Sequence, residues 1–164
     1  MNFLNPKHFS FLQTIKKDFK TILDEYNSIF TKAIPWPDSR LYNKGWDVIG
    51  FKYEGQVPTE CSNNRILAPK TCELFESLDV DIFTYGFSIL RAGCEIKPHY
   101  GHNHDVLRSH LCLYTNPDAK LIVGDESKDW VIGDFLVFDD TNLHSAYNKG
   151  TTDRVVVLFD FIIK

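Results

Sequence analysis

The sequence predicts a mainly β protein, a jelly roll with helices at its N-terminus, and three observations carry that expectation. Short β-branched and aromatic segments with a period of two recur from Trp46 onward, separated by turn residues. Apolar residues at three- and four-residue steps are concentrated in the first third of the chain. A chain of 164 residues that is 43% hydrophobic and 14% aromatic can form one globular domain with a real core. Such a pattern fits an antiparallel sandwich or barrel, and the jelly-roll form surrounds a pocket with inward-facing side chains.

In chain order, Leu12, Ile15, Phe19, Ile22, Leu23, Tyr26, Ile29 and Phe30 make one apolar stripe, which predicts a single amphipathic helix over about residues 10–33. Ser10 followed by Gln13 reads as a capping box, and Pro35 and Pro37 stop the pattern. A shorter helix is expected from Pro69, with Cys72, Phe75 and Leu78 on its apolar face. Strands are expected at Trp46–Tyr53, Phe83–Leu90, Leu107–Tyr114, Lys120–Val123, Phe135–Phe138, Leu143–Tyr147 and Arg154–Ile163, with turns at Asn116-Pro117-Asp118, Gly133-Asp134 and Asn148-Lys149-Gly150.

Alternation assigns the faces of these strands. In Leu107–Tyr114, the side chains of Arg108, His110, Cys112 and Tyr114 leave one face and those of Leu107, Ser109, Leu111 and Leu113 the other. That division suits a functional face and also an ordinary core against solvent. In the last strand Arg154, Val156, Leu158 and Asp160 share a face, so Arg154 heads a mostly apolar row. A buried Arg needs an anionic partner or strong hydrogen bonds, and Asp153 and Asp160 are candidates for a structural ion pair.

Composition narrows the function classes. No apolar run approaches the roughly 18 residues of a membrane-spanning helix, and Met1–Pro6 lacks the features of a secretion signal, so a soluble, cytoplasmic protein is expected. The net charge is -4 and the Lys and Arg residues are dispersed, which argues against nucleic-acid binding. Cys61, Cys72, Cys94 and Cys112 form no CxxC pair and fit reduced thiols. Histidine is the uneven feature, with five of the six, His99, His102, His104, His110 and His144, within 46 residues. Imidazole binds iron, zinc, copper and nickel, so histidines on adjacent strands can form a metal site. His99 and His144 are the informative pair, set against the plainer reading of surface or hydrogen-bonded histidines. A His-x-Asp metal motif would require a carboxylate at position 101, where Gly101 stands.

An ordered set of motifs is more specific: Ser88 and Gly93 leading to Pro98-His99-Tyr100-Gly101, then Arg108-Ser109-His110, Trp130 to Gly133, Phe138-Asp139-Asp140 to His144, and finally Arg154. Together these resemble the aspartyl/asparaginyl β-hydroxylase family over roughly Trp36 to Phe161. The resemblance implies a double-stranded β-helix, a cupin-like jelly roll, for a dioxygenase-like core over 36–164; with no linker or repeat in the sequence, residues 1–35 are expected as a helical segment packed on it, in one domain over 1–164. It implies Fe(II) held by His99 and His144, 2-oxoglutarate as cosubstrate and O2, and oxidative decarboxylation coupled to hydroxylation of an unactivated C–H bond. Gly101 matches members that lack the third, carboxylate ligand. Arg154 matches the residue that pairs with the distal carboxylate of 2-oxoglutarate, Ser88 a cosubstrate hydrogen-bonding serine, and Arg108 and His110 further cosubstrate-contacting positions.

The implied substrate is a small amino-acid-like metabolite or an Asp or Asn residue in a peptide, and the oligomeric state is left open. The alternatives are a cupin-like metal protein with non-oxidative chemistry and a catalytically silent interaction domain. Asp139 and Asp140 are read first as turn residues, with orienting His144 or reaching the metal through water as alternatives; His102 and His104 as surface residues, with substrate contact or extra metal ligation as alternatives; Cys112 as a small buried thiol and Trp130 as packing. Arg40, Trp46 and Arg65 are candidates for the pocket rim.

Overall fold

A computed structural model describes residues 2–163. Its elements are β1 (Phe3–Leu4), α1 (Phe11–Lys17), α2 (Phe19–Ile29), β2 (Ile34–Pro35), β3 (Trp46–Lys52), α3 (Thr59–Leu67), α4 (Pro69–Glu76), β4 (Ile82–Leu90), β5 (Glu95–His99), β6 (Val106–Tyr114), β7 (Ala119–Val123), β8 (Glu126–Asp129), β9 (Phe135–Phe138), β10 (His144–Asn148) and β11 (Arg154–Ile162). The strands form a seven-stranded sheet in the order β1-β9-β6-β11-β4-β3-β2 and a four-stranded sheet in the order β5-β10-β7-β8. Every strand pair is antiparallel. This is the jelly roll expected from the alternation.

The larger sheet is buried on both faces, and the pleat sorts its side chains into two cores. Ile49, Phe51, Tyr85, Phe87, Leu111, Val157 and Phe159 face the helices and pack with Leu12, Ile15, Ile22, Tyr26 and Phe75. Trp46, Leu90, Cys112, Phe138, Val156 and Leu158 face the smaller sheet and pack with Ile96, Leu121, Val123 and Ala146. The N-terminal helices thus seal the back of the larger sheet and leave its other face to the site.

Two local expectations are corrected. The stripe expected as one helix is two, because Asp18 (φ -100, ψ 17) leaves helical geometry, and its N–H bonds the carbonyls of Ile15 and Lys16. An Asp in mid-stripe favours such a break, since its side chain competes for local backbone groups. The bend keeps Leu12 and Ile15 from one segment and Ile22, Tyr26 and Ile29 from the other buried. The capping box does not form: Ser10 has helical dihedrals and makes no side-chain cap. Helix α3 was not expected; only Cys61 of its residues is buried, so it carries little apolar periodicity to read.

Candidate active site

The register of the two sheets builds the site. His144 on β10 lies directly opposite His99 on β5, next to an irregularity between His144 and Ala146, and the ring centroids are 4.3 Å apart. Nδ1 of His99 is 2.7 Å from the Lys97 carbonyl oxygen, and Nδ1 of His144 is 2.8 Å from that of Asn142. Carbonyls only accept, so both Nδ1 atoms carry the proton and both Nε2 atoms keep a lone pair. This is the tautomer of a histidine that ligates through Nε2.

Burial pushes the His144 imidazole down to about 4, helped by His99 and Arg108 and opposed by the Asn142 hydrogen bond. That is below the roughly 6.5 of an unfolded His, so on acidification the unfolded chain takes up its proton first. The stability contributed by neutral His144 is therefore complete above about pH 6.5 and lost as pH falls to about 4, on the order of 3 kcal/mol. Thermal melts of the metal-free protein should fall across that window, and the fall should shrink in His144→Gln; an equal slope in both proteins would refute the assignment.

Facing the imidazoles, the larger sheet presents Ser88, Arg108, His110 and Arg154 to one cavity also lined by Trp46, Trp130 and Phe138. Ser88 pairs with Val48 on one side and Val156 on the other, which sets Trp46 and Arg154 on its two diagonals. The Trp46 Nε1–H donates to Ser88 Oγ at 3.0 Å and an Arg154 Nη2–H donates at 3.2 Å. Both lone pairs of the hydroxyl are engaged, so its own hydrogen is free to donate elsewhere.

Arg154 is 2% exposed, and its Nε has no hydrogen-bond partner. The ion pairs considered from sequence do not form: Asp160 is held by Arg108 and Asp153 by Arg91. Among the described residues Arg154 has no carboxylate partner; its guanidinium carbon lies 4.6 Å over the Trp130 ring. Burial lowers its pKa to about 10, so it stays charged at neutral pH. His110 is the complement: Trp130 Nε1–H donates to its Nδ1 at 3.2 Å, which places the proton on Nε2, and that buried atom has no partner. Burial, then the Arg154 charge, hold His110 well below the ordinary histidine value and therefore neutral. A cation and two neutral donors with no protein acceptor make an anion site.

Arg108 sits in the same wall, but Nε and Nη2 make a forked pair with Asp160 at 2.7 and 2.9 Å, and Nη2 lies 3.3 Å from Asp140. Asp139 accepts from the N–H and hydroxyl of Thr141 and so forms the turn expected of it. Asp140 does something different: it is 4% exposed, and burial raises its pKa against the pull of Arg108. Its carboxylate fills the place a side chain at residue 101 would take, since a Cβ on Gly101 would lie 2.4 Å from Asp140 Oδ2. Gly101→Asp should therefore displace Asp140 rather than restore a carboxylate ligand, with a stability loss of about 1–3 kcal/mol in chemical denaturation. An unchanged midpoint would contradict this.

His102 and His104 lie exposed on the connecting loop, His102 against Glu54 at 3.1 Å. Cys112 is fully buried and its thiol is pushed up to about 12 by burial, as suits an inert core thiol. Among the described residues no cluster of three or more His, Cys, Asp or Glu is placed to hold a metal. Sequence reasoning gave Trp46 only as a rim candidate and Trp130 only as packing. Their indole N–H groups orient Ser88 and His110, a role set by cross-strand register that composition does not carry.

Two antiparallel sheets closed face to face, with paired histidines facing a buried cationic pocket, define a protein of the double-stranded β-helix, or jelly-roll, class. The fold agrees with a solved structure described as an oxidoreductase of the 2OG-Fe(II) oxygenase family from Burkholderia pseudomallei, with a TM-score of 0.55 at 10% identity, covering 85% of this chain and 77% of that one. The chain belongs to the aspartyl/asparaginyl β-hydroxylase family, whose model matches residues 12–163.

Among its relatives is the aspartate beta-hydroxylase domain-containing protein 2 of Mus musculus, 30% identical over 91% of this chain and 47% of that protein. Another is the ornithine lipid ester-linked acyl 2-hydroxylase of Rhizobium tropici, 37% identical over 46% of this chain and 28% of that protein. The chain spans about half the length of the domain-containing relatives it matches. Among the described residues no helix is long and apolar enough to cross a membrane.

Proposed function

We propose that the protein is an Fe(II)- and 2-oxoglutarate-dependent hydroxylase. The observation that carries this reading is the buried Arg154 guanidinium, without an anion partner among the described residues, in one cavity with two imidazoles whose Nε2 atoms keep a lone pair. His99 and His144 would hold the metal, and Arg154, Ser88 and His110 the dicarboxylate. Bound together, Fe(II), 2-oxoglutarate and O2 supply the oxidising power that hydroxylates an unactivated C–H bond.

The chain's own work is positional. Arg154 offers a planar, always-charged fork for the distal carboxylate, and the Trp130 ring supports it from 4.6 Å through a cation–π contact. Ser88 adds the hydrogen freed by its two donors, and His110 donates from Nε2 because Trp130 occupies Nδ1. Asp160 and Asp140 hold the Arg108 fork in the cavity wall, so its part in cosubstrate binding is chiefly to set the field and shape there. Phe138, Leu121 and Leu158 give the cavity apolar lining, and a low-dielectric wall strengthens charge interactions beside it.

The substrate is an amino-acid-like metabolite, an Asp or Asn residue of a peptide, or, as in the Rhizobium relative's name, an acyl chain. The test is succinate release from 2-oxoglutarate under air with Fe(II), screened over amino acids, short peptides and acylated compounds. Substrate-stimulated succinate formation is expected in one class. Failure to bind 2-oxoglutarate with Fe(II) under anaerobic conditions would overturn the proposal in favour of a silent domain, and metal-dependent turnover indifferent to O2 and 2-oxoglutarate would favour a cupin-like protein.

A further inference from the structure

Beside the histidine cavity runs a groove of about 400 Å³, within the range of pockets that hold a small organic ligand. Ser88 and Leu158 line both, so the groove borders the site. Its floor is unusually bare because Gly50 on β3 and Gly86 on β4 pair directly across the sheet. Gly86 is demanded by the fold: a Cβ there would lie 2.6 Å from the Ile49 carbonyl oxygen. Gly50 is not held so tightly, since a Cβ there would meet only the Cys61 thiol, at 3.3 Å. Ile34, Trp36, Val48 and Leu158 supply apolar walls, and Ile34 remains 51% exposed on an edge strand.

The charged groups of the groove do not suit an acidic guest. Asp38 and Glu60 line it, and its one lysine, Lys52, lies 3.7 Å from Glu76 and is thus already shared. Asp38 is forked by Arg40, so among the described residues an Asp side chain would meet the Glu60 carboxylate and cations already shared with acids, whereas a hydrocarbon chain buries the exposed apolar walls.

We propose that this groove receives an extended, uncharged hydrocarbon chain of the substrate, and that Gly50 opens the space for it. The inference rests on the hydroxylase reading for the purpose of the groove, and its binding test does not require the metal. Tryptophan fluorescence of the metal-free protein, with Trp36 in the groove wall, is titrated with N-acyl glycinamides from hexanoyl to dodecanoyl, each below its micelle concentration. Affinity should rise with chain length, and Gly50→Leu should weaken dodecanoyl glycinamide by about tenfold or more.

Ile34→Glu, a change at an exposed position that does not threaten folding, should weaken it in the same sense. Both variants should keep the absorption band given by anaerobic Fe(II) with 2-oxoglutarate. Affinity independent of chain length, or undiminished in both variants, would overturn the proposal, as would equally tight competition by an acetylated Asp amide. Absence of the band in the unaltered protein, with chain-length-dependent binding intact, would instead overturn the hydroxylase reading and leave the groove assignment standing.

Discussion

The unaltered protein should show a metal-to-ligand charge-transfer absorption with Fe(II) and 2-oxoglutarate in the absence of O2, and His99→Ala and His144→Ala should each abolish it. The expectation follows from the small number of protein ligands. Gly101 carries no donor, Asp140 is committed to Arg108 in the space beside it, and no third His, Cys, Asp or Glu joins the pair among the described residues. If the two imidazoles are the protein's ligands, as proposed, removing either leaves a single one, which does not hold Fe(II) against water.

The same arithmetic predicts that mild chelators strip the iron from the unaltered protein. The two variants should differ in stability, which separates ligation from folding. His99 is only partly buried, so His99→Ala should melt close to the unaltered protein. His144 is 6% exposed against Phe138, and its loss leaves a cavity costing about 2 kcal/mol. An undiminished band in both variants would sink the ligand assignment; a band lost only in the less stable one would reduce it to one ligand.

How far this site was readable in advance depends on whether it is local or tertiary. The alternation of β6 and β11 placed Arg108, His110 and Cys112 on one face and Arg154, Val156 and Leu158 on another, and both faces turn inward toward the smaller sheet. A period of two is a local property, fixed by the pleat, so it survives folding unchanged. The contacts that give those faces meaning are not local. That Asp160 goes to Arg108 and leaves Arg154 without a carboxylate depends on the β6–β11 register, where Arg108 stands opposite Asp160. That Asp140 fills the space beside Gly101 depends on the loop after β9 meeting the end of β5, and no spacing in the sequence encodes it. Asp139 and Asp140 are adjacent and alike on paper, yet one caps a turn and the other is buried against a guanidinium. The break at Asp18 is an intermediate case: the residue type favours it, but a continuous apolar stripe across the break hides it.

Arg154→Met should raise the thermal stability of the ligand-free protein while eliminating 2-oxoglutarate binding, and Arg154→Lys should weaken binding by about a hundredfold or more. A buried cation without a paired anion is a cost to the fold, since its desolvation is offset here only by one Ser88 hydrogen bond and the Trp130 face. Met has similar length and no charge, packs against Cys94, Cys112 and Val156 in the same core, and should gain about 1–4 kcal/mol by removing that penalty. Lys keeps the charge but loses the two-pronged geometry, and its ammonium cannot stack on Trp130 as a plane does.

The opposite result is equally definite. If Arg154 served the fold, Arg154→Met would melt at a lower temperature, because Ser88 and Trp130 would lose a structural partner. Stability and binding must move in opposite directions for a site that stores strain until its anion arrives. Calorimetric melts with and without 2-oxoglutarate settle it: the unaltered protein should be stabilised by the cosubstrate in the presence of a redox-inert divalent metal, and Arg154→Met should start higher and gain nothing. A variant that melts lower, or still responds to 2-oxoglutarate, would remove Arg154 from the cosubstrate site.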